Sequence, residues 1–261
     1  MKMFGIDVSK WNGKIDWRQV KNHGVEFAII RTGYSDYYID PCFEENYAGA
    51  KAVGIKVGAY HYSYALDIAD AVDEAKFMLS LLRGKQFEFP IAFDIEDTSQ
   101  LTLPNSLKTD MAIAFLNEIE RKGNFAMLYT NSNWIKWHFD MPRLNRFALW
   151  RAHYVDHTAN NPPRENFNED IWQYGAMDKI PGVTADVTDV NLCYRDFETE
   201  IKAQGLNGFG FPAPAPTPKE DSAEYWKAEH LKVSKQFSVE KAEWNAFCQQ
   251  NNLTYNFTYK E

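Results

Sequence analysis

The chain has 261 residues, of which 45% are hydrophobic and 15% aromatic, so it can bury a large core. Its formal net charge is −8 without a basic stripe, which excludes nucleic acid as an expected partner. The three cysteines, Cys42, Cys193 and Cys248, lie far apart with no CxxC spacing, which argues against a disulfide framework and against a zinc site.

Short apolar runs alternate with amphipathic stretches through the first 130 residues. The runs predict strands over residues 4–8, 27–30, 56–62, 90–95 and 125–129. The stretches between them predict four helices, each with its own start or stop signal. One runs from an Asp16 cap to Gly24, one carries Pro41 in its first turn, one follows an Asp67 cap, and one covers about residues 105–123.

Beyond residue 130 this rhythm changes. The segment 134–144 predicts at most one short helix, and further strands are predicted at 147–152, 171–174 and about 187–192. Repeated βα units with almost continuous apolar strands predict a parallel sheet covered by helices. Eight strands with five crossover helices predict an α/β fold that closes into a TIM-like (β/α)5β3 barrel, whose working residues sit at the carboxyl ends of the strands.

The strongest chemical signal lies at the end of the fourth predicted strand, in the run FDIED. Asp94 and Glu96 are two residues apart, so on a strand their side chains share one face. Two neighbouring carboxylates push their pKa values apart, which keeps one protonated as a general acid while the other stays charged. That pair suits the cleavage of a glycosidic bond, and surface charge at a strand end is the alternative interpretation.

Other predicted strand ends carry polar or aromatic residues. Asp7 closes the first strand, where it is either a loop cap or a catalytic group. His61 lies near the end of the third strand, where it is either a ligand or a hydrogen-bonded barrel histidine. A metal-dependent hydrolase using Asp7, Asp94, Glu96 and His61 is therefore one alternative function, although no HxH or HxxxH spacing supports it. We expect no metal and no cofactor.

Seven motifs in collinear order resemble the glycoside hydrolase family 25 muramidases, the lysozymes found in phage endolysins and bacterial autolysins. They span residue 4 to about residue 195 and are GIDVSKWNGKIDW, FAIIRTGY, YYIDPCFEENYAGAKAVGIKVGAYHYSYA, FPIAFDIED, MLYTNSNW, ALWRAHY and IWQYGAMDKIPGVTADVTDVNLCY. The resemblance implies a barrel of eight strands and five helices. It also implies hydrolysis of the β-1,4 bond between N-acetylmuramic acid and N-acetylglucosamine in bacterial peptidoglycan.

The resemblance further implies roles for single residues. Glu96 matches the catalytic acid, and Asp94 matches the carboxylate that orients or charge-stabilises the substrate's N-acetyl group. Asp7 and Asp189 complete the acidic cluster, with Asp186 as an alternative to Asp189 because the chain carries an extra residue just before it. The substrate-binding positions implied are Arg31, Tyr38, Tyr62, Tyr129 and Trp172. The implied reaction retains configuration, and the substrate's own acetamido group attacks the anomeric carbon.

The remaining alternatives concern what the barrel does and where it acts. A non-catalytic carbohydrate-binding barrel is one, although the presence of both Asp94 and Glu96 favours an enzyme. A bacterial autolysin is the alternative to a phage endolysin. No apolar stretch is long enough for a signal peptide or a membrane span. We therefore expect synthesis in a bacterial host cytoplasm, action on the wall after release, and no membrane partner.

The C-terminal part of the sequence predicts a change of organisation. Residues 205–220 include the run GLNGFGFPAPAPTP, which predicts a semi-rigid linker after a catalytic barrel at 1–204. Residues 221–261 then form a small module, whose aromatic side chains include Trp226 and Trp244. We expect this module to bind the cell wall, with self-association or simple packing on the barrel as alternatives.

Overall fold

The computed structural model of the chain describes residues 2–154 and 168–210. Its strands are β1 (Met3–Val8), β2 (Phe27–Tyr34), β3 (Tyr38–Ile39), β4 (Lys56–Tyr62), β5 (Ile91–Asp94), β6 (Ala126–Asn131), β7 (Ala148–Ala152), β8 (Ile171–Asp178) and β9 (Val187–Cys193). Its helices are α1 (Trp17–Asn22), α2 (Phe43–Ala52), α3 (Ile68–Leu82), α4 (Asn105–Arg121), α5 (Ser132–Trp137), α6 (Met141–Leu144) and α7 (Phe197–Ala203). Single 3-10 turns lie at Lys10–Asn12 and Thr98–Gln100.

Eight of these strands close into a barrel, which confirms the predicted fold class. They follow the order β1-β9-β8-β7-β6-β5-β4-β2, and β2 pairs with β1 to close the ring. The short β3 adds an antiparallel extension to the end of β2 that the sequence pattern did not predict.

The expectation of a fully parallel sheet is wrong at one strand. β9 runs antiparallel to both β8 and β1, whereas the other neighbouring strands of the ring are parallel. The physical reason is the connection from Asp178 to Val187, which is too short for a crossover helix. A parallel pair needs a crossover of a dozen or more residues, and an antiparallel pair needs only a turn.

The start and stop signals in the sequence agree with most of the helix ends in the structure. Asp16 caps α1 by accepting hydrogen bonds from the backbone N–H groups of Arg18 and Gln19, and Asp67 caps α3 in the same way. Pro41 is an exception, because α2 begins at Phe43 and the proline lies just before it. Two short helices, α5 and α6, occupy the segment that predicted at most one, and α7 was not predicted.

Alternate residues of each strand face either the barrel interior or the surrounding helices. An outer core between strands and helices includes Ile6, Ala28, Phe93 and Phe115. A smaller inner core fills the lower barrel with Phe27, Phe89, Met127, Ile171 and, from α7, Phe197. Gly5 makes room for this filling, since a Cβ there would stand 2.4 Å from the ring of Phe27. Apolar packing therefore stops below the carboxyl ends of the strands and leaves that end for polar residues.

Residues 205–210 belong to the barrel, which moves the start of the expected linker to residue 211 or later. Asn207 is 1% exposed, and its amide donates to the carbonyl oxygens of Phe87 and Phe89 and accepts from the N–H of Phe125. These contacts cover the end of the barrel opposite the carboxyl ends. The rest of the predicted linker and the C-terminal module lie outside the described residues. No helix in 2–154 or 168–210 is long and apolar enough to cross a bilayer.

Candidate active site

A cleft of about 320 Å³ opens at the carboxyl ends of the barrel strands. A second depression of about 360 Å³ adjoins it, and the two share Glu96, Tyr129 and Gln173 as common walls. Seven of the predicted site residues line the first cleft: Asp7, Arg31, Tyr62, Asp94, Glu96, Tyr129 and Asp189. The barrel therefore brings together side chains from six strands and one loop into a groove with Glu96 between its two halves.

The pKa values of four carboxyl groups in this cleft are raised, in each case mainly by burial. Asp7 is 7% exposed, and its burial, followed by the charge of Asp189, raises its pKa to about 8. Asp94 is 5% exposed, and its burial, followed by the charge of Glu96, raises its pKa well above the usual range. Burial also raises the pKa of Asp189. A cleft of this kind holds protons at neutral pH that exposed carboxylates would release.

Glu96 follows β5 on a loop and is half-buried. Burial raises the pKa of its carboxyl group, and a hydrogen bond from Asn131 Nδ2 to Oε2, at 2.8 Å, opposes that rise. The charges of Asp189 and Asp97 raise it further. A carboxyl group whose pKa is raised by burial is suited to give up a proton to a substrate oxygen.

Asp7 is held from below by two amide side chains. Gln173 Nε2 and Asn191 Nδ2 both donate to Asp7 Oδ2, at 2.9 and 2.8 Å. The amide oxygens of the same two residues are themselves occupied, by the hydroxyl of Tyr129 at 2.9 Å and the indole N–H of Trp150 at 2.8 Å. Asp7 thus lies in an ordered polar layer that closes the cleft above the apolar inner core.

Asp189 is the acid of the last strand that reaches the cleft. Its Oδ1 accepts a hydrogen bond from the hydroxyl of Tyr154 at 2.8 Å. Asp186, the alternative from the sequence, is exposed, and its backbone carbonyl accepts from Lys179 in the turn before β9. The choice between the two falls on Asp189 because β9 begins at Val187 and directs alternate residues inward.

The sequence profile named Glycosyl hydrolases family 25 matches residues 6–183, about two thirds of the chain. The chain belongs to this family. "Uncharacterized protein YegX" of Escherichia coli O157:H7 is 27% identical over 206 residues, covering 76% of this chain and 72% of the relative. "Lysozyme M1" of Streptomyces globisporus is 29% identical over 194 residues, covering 70% and 65%. The crystal structure of the CTP1L endolysin superposes with a TM-score of 0.66 at 28% identity, covering 77% and 70%.

One predicted substrate contact of this family 25 barrel is wrong. Trp172 is 0% exposed, belongs to the outer core, and donates its indole N–H to the carbonyl oxygen of His153 at 2.8 Å. The reason is the alternation along β8, where Gln173 takes the inward position and both neighbours point outward. Trp172 therefore stabilises the barrel wall and cannot stack on a sugar in the cleft.

Tyr38 and Arg31 lie at the edge of the site. Tyr38 stacks on Tyr34 with ring centroids 4.0 Å apart and accepts a hydrogen bond from Lys10 Nζ at 2.9 Å, outside the lining of the cleft. Arg31 lines the cleft and forms a buried ion pair with Asp40 at 2.8 Å. Arg31 thus places a positive charge beside the buried acids, and this charge counters part of the rise in the pKa of Asp94.

His61 points away from the cleft. It is 0% exposed on the outer face of β4, where its ring packs against Phe77 and Phe115, and Nδ1 lies 3.4 Å from the hydroxyl of Thr32. The four-ligand metal set that the sequence left open therefore cannot include this histidine. Within the described ranges, no three His, Cys, Asp or Glu side chains are placed to hold a metal ion together.

Sequence reasoning missed the amide and aromatic residues that surround the carboxylates. Asn131, Gln173 and Asn191 bind Glu96 or Asp7, and Trp150 lines the cleft and orients Asn191. All four lie at or near predicted strand ends, but amides carry no charge and a single tryptophan is more often core. No signal in the sequence identifies them, because alternation counted from Asp7 and Asp94 gives the inward positions of β1 and β5 and not those of the strands that carry these four residues.

Proposed function

We propose that this family 25 protein is a peptidoglycan muramidase, a lysozyme that hydrolyses the β-1,4 bond between N-acetylmuramic acid and N-acetylglucosamine. The observation that carries the proposal is the position of Glu96, a carboxyl group of raised pKa between the two halves of an acidic groove. Shared family membership with Lysozyme M1, and the fold shared with the CTP1L endolysin, support the substrate class.

In the proposed reaction Glu96 donates its proton to the glycosidic oxygen as the bond to the anomeric carbon breaks. The oxygen of the substrate's acetamido group forms the new bond to that carbon, and water later opens the ring while Glu96 takes its proton. Substrate assistance of this kind replaces a carboxylate nucleophile in some glycosidases. Support comes from Asp94, whose buried Oδ1 has no hydrogen-bond partner in the described residues and is free to accept the acetamido N–H.

The substrate-binding roles follow from position in the groove. Tyr129 borders both halves, and Tyr62 borders the first half with its hydroxyl donating to Asp97 at 2.9 Å. We assign these two rings to the faces of the sugars, because aromatic faces pack well on apolar sugar faces. Arg31 and Tyr38 would contact the substrate at the edge of the cleft. Asp7 and Asp189 would complete the polar surface around the scissile bond.

The test is the variant Glu96→Gln, with Asp186→Asn as its matched control. Glu96→Gln cannot supply a proton, so we expect hydrolysis of purified peptidoglycan to fall at least about 100-fold at unchanged thermal stability. Asp186→Asn changes an exposed acid outside the cleft and should keep wild-type activity. Mass spectrometry of the fragments should show new reducing ends on N-acetylmuramic acid. Comparable activity in folded Glu96→Gln would overturn the assigned role, and uncut glycan with the wild type would overturn the function.

For the biological setting we propose a phage endolysin made in the host cytoplasm, with a bacterial autolysin as the alternative. Support comes from the structural likeness to the CTP1L endolysin. Expression inside a susceptible bacterium should leave cells intact until the membrane is permeabilised, because an endolysin waits for such access. Lysis without permeabilisation, or activity exported to the medium, would favour the autolysin.

We propose that residues 221–261 bind the cell wall, with self-association as the alternative. The proposal is supported only by sequence, namely aromatic residues such as Trp226 and Trp244 after a proline-rich run. Deletion of residues 213–261 should reduce co-sedimentation with purified walls and leave cleavage of soluble glycan fragments unchanged. Unchanged sedimentation together with a smaller oligomer in gel filtration would favour self-association.

A further inference from the structure

Asn131 lies where the end of β6 meets the start of α5, and its side chain contacts both the first turn of α5 and Glu96. It is the N-cap of α5, and its Oδ1 accepts hydrogen bonds from the backbone N–H groups of Asn133 and Trp134, at 3.0 and 3.1 Å. Its Nδ2 donates to Glu96 Oε2 at 2.8 Å. One amide therefore joins a helix terminus to the carboxyl group that we assign as proton donor.

The orientation of this amide is fixed by chemistry. Backbone N–H groups only donate, so the atom facing the helix must be the amide oxygen of Asn131. A flipped amide would set its own N–H hydrogens against two others and leave the first turn of α5 uncapped. The amide nitrogen must consequently face Glu96. The Oε2 atom of Glu96 then meets a donor, and a proton on that oxygen would collide with the N–H.

We propose that Asn131 is a positioning residue for the proton donor: the α5 cap locks its amide so that Glu96 carries its acidic proton on Oε1. This inference rests on the proposed function, because it assumes that Glu96 delivers that proton to the substrate. Oε1 is then the atom from which the glycosidic oxygen is protonated. The same hydrogen bond stabilises the carboxylate form, which keeps the pKa of Glu96 below the value that burial alone would give.

Other ionisable groups also act on Glu96 and are unchanged by a substitution at Asn131. Asp97 lies on the same loop, Asp94 on β5 and Asp7 on β1. Asp189 lies on β9, and the Tyr129 and Tyr154 hydroxyls belong to β6 and to the segment after β7. Since all of these stay in place, a change in the titration of Glu96 on substitution of Asn131 reports the lost amide contact.

Two substitutions keep the helix cap and change only what faces Glu96. Asn131→Ser retains a capping oxygen but has no donor within reach of Glu96. Asn131→Asp retains the cap and turns the donor into an acceptor, which would draw the proton of Glu96 to the wrong oxygen. Asp67→Ser, at the N-cap of α3 and outside the cleft, is the matched control for altering a cap.

We expect Asn131→Ser to raise the pKa of Glu96, so the basic limb of the kcat/KM pH profile moves to higher pH by about half a unit to one unit. In addition, kcat should fall about 10-fold. Asn131→Asp should lower kcat about 100-fold or more, within the range of general-acid effects. Asp67→Ser should leave the limb and kcat unchanged. Carbon-detected NMR titration of the Glu96 carboxyl measures the same pKa change without substrate.

The outcomes separate this inference from the proposed function. If the wild type cuts peptidoglycan and Glu96→Gln does not, but folded Asn131→Ser keeps the wild-type limb and kcat, the positioning role is wrong while the muramidase stands. If the wild type cuts nothing, the NMR titration still decides whether Asn131 controls the ionisation of Glu96. An unchanged Glu96 pKa in both variants overturns the inference.

Discussion

The indole N–H of Trp150 donates to Asn191 Oδ1 at 2.8 Å, and this contact decides which way the Asn191 amide faces. An indole nitrogen can only donate, so the amide oxygen must point to it and Nδ2 must point to Asp7. Gln173 supplies a second N–H to the same oxygen of Asp7. A protonated Asp7 therefore holds its hydrogen on Oδ1, the oxygen to which neither amide donates.

Trp150→Phe keeps an aromatic ring in the cleft wall but removes the only N–H of the side chain. We expect it to lower the free energy of unfolding by about 1–3 kcal/mol, because Asn191 Oδ1 is left buried without its donor. The pKa of Asp7 should rise as its amide contact loosens, since that contact stabilises the carboxylate. Urea denaturation and carboxyl NMR measure the two effects. Unchanged stability together with an unchanged Asp7 pKa would show that Trp150 does not fix the orientation of the Asn191 amide.

Glu74→Gln tests a buried acid that the proposed reaction does not use. Glu74 is 2% exposed, its Oε1 accepts from the N–H of Tyr64 at 2.9 Å, and burial raises its pKa to about 8. The folded state thus holds a proton that the unfolded state releases above about pH 4.5. The contribution of the protonated Glu74 carboxyl group to the free energy of unfolding is full at low pH and is lost as the pH rises towards 8.

Relative to the wild type, we expect Glu74→Gln to gain stability as the pH rises from 5 to 8, by up to about 1.4 kcal/mol per pH unit. Asp7, whose pKa is also raised to about 8, leaves a similar slope in the variant. Peptidoglycan hydrolysis should stay at the wild-type level. The exposed Glu45→Gln serves as the control for replacing a carboxyl group by an amide. A difference in the free energy of unfolding between Glu74→Gln and the wild type that stays constant from pH 5 to 8 would contradict the raised pKa of Glu74.

Sequence patterns predicted the barrel because strand and helix periods differ sharply, and because caps such as Asp16 and Asp67 mark helix starts. They predicted Asp94 and Glu96 because an acid at the end of an apolar strand is conspicuous. They failed at Trp172 because both faces of a barrel strand are buried, so hydrophobicity cannot tell inward from outward. Only the register of β8 against its neighbours decides that Gln173 faces Asp7.

The end of the barrel escaped prediction for a different reason. The run from Gly205 to Gly210 has the composition of a loop and forms one. Within this loop, however, the side chain of Asn207 forms hydrogen bonds with three backbone groups of the barrel. Composition reports the tendency to form helix or strand and carries no information on such long-range contacts. The carbonyl oxygens it satisfies lie about 120 residues earlier in the chain.

Asn207→Ala tests whether this loop is part of the folded unit. The substitution leaves two buried carbonyl groups and the N–H of Phe125 without their partner. We expect the free energy of unfolding to fall by about 2–4 kcal/mol, as buried unpaired polar groups cost about 1–3 kcal/mol each before relaxation. Asn22→Ala, at the exposed end of α1, is the control for removal of an amide. If the free energy of unfolding fell by less than about 0.5 kcal/mol, residues 205–210 would belong to the linker and not to the folded barrel.

Trp172→Phe and Tyr129→Phe separate a wall residue from a groove residue. Trp172→Phe removes the hydrogen bond that this buried side chain donates to His153 on the outer face of β8, so we expect lower stability, by about 1–3 kcal/mol, with KM and kcat unchanged. Tyr129→Phe removes the hydroxyl that donates to Gln173 in the wall between the two halves of the groove. We expect it to raise KM or lower kcat several-fold.

Soluble peptidoglycan fragments give KM and kcat, and urea denaturation gives the stability of each variant. Trp172→Phe acts on the outer face of the barrel wall and Tyr129→Phe acts on the inner face. We therefore expect the first to change stability alone and the second to change KM or kcat. If Trp172→Phe raised KM at unchanged stability, the side chain would have to reach the substrate. The inward position on β8 would then belong to Trp172, and the contact of Gln173 with Asp7, on which the polar floor of the cleft depends, could not exist as described.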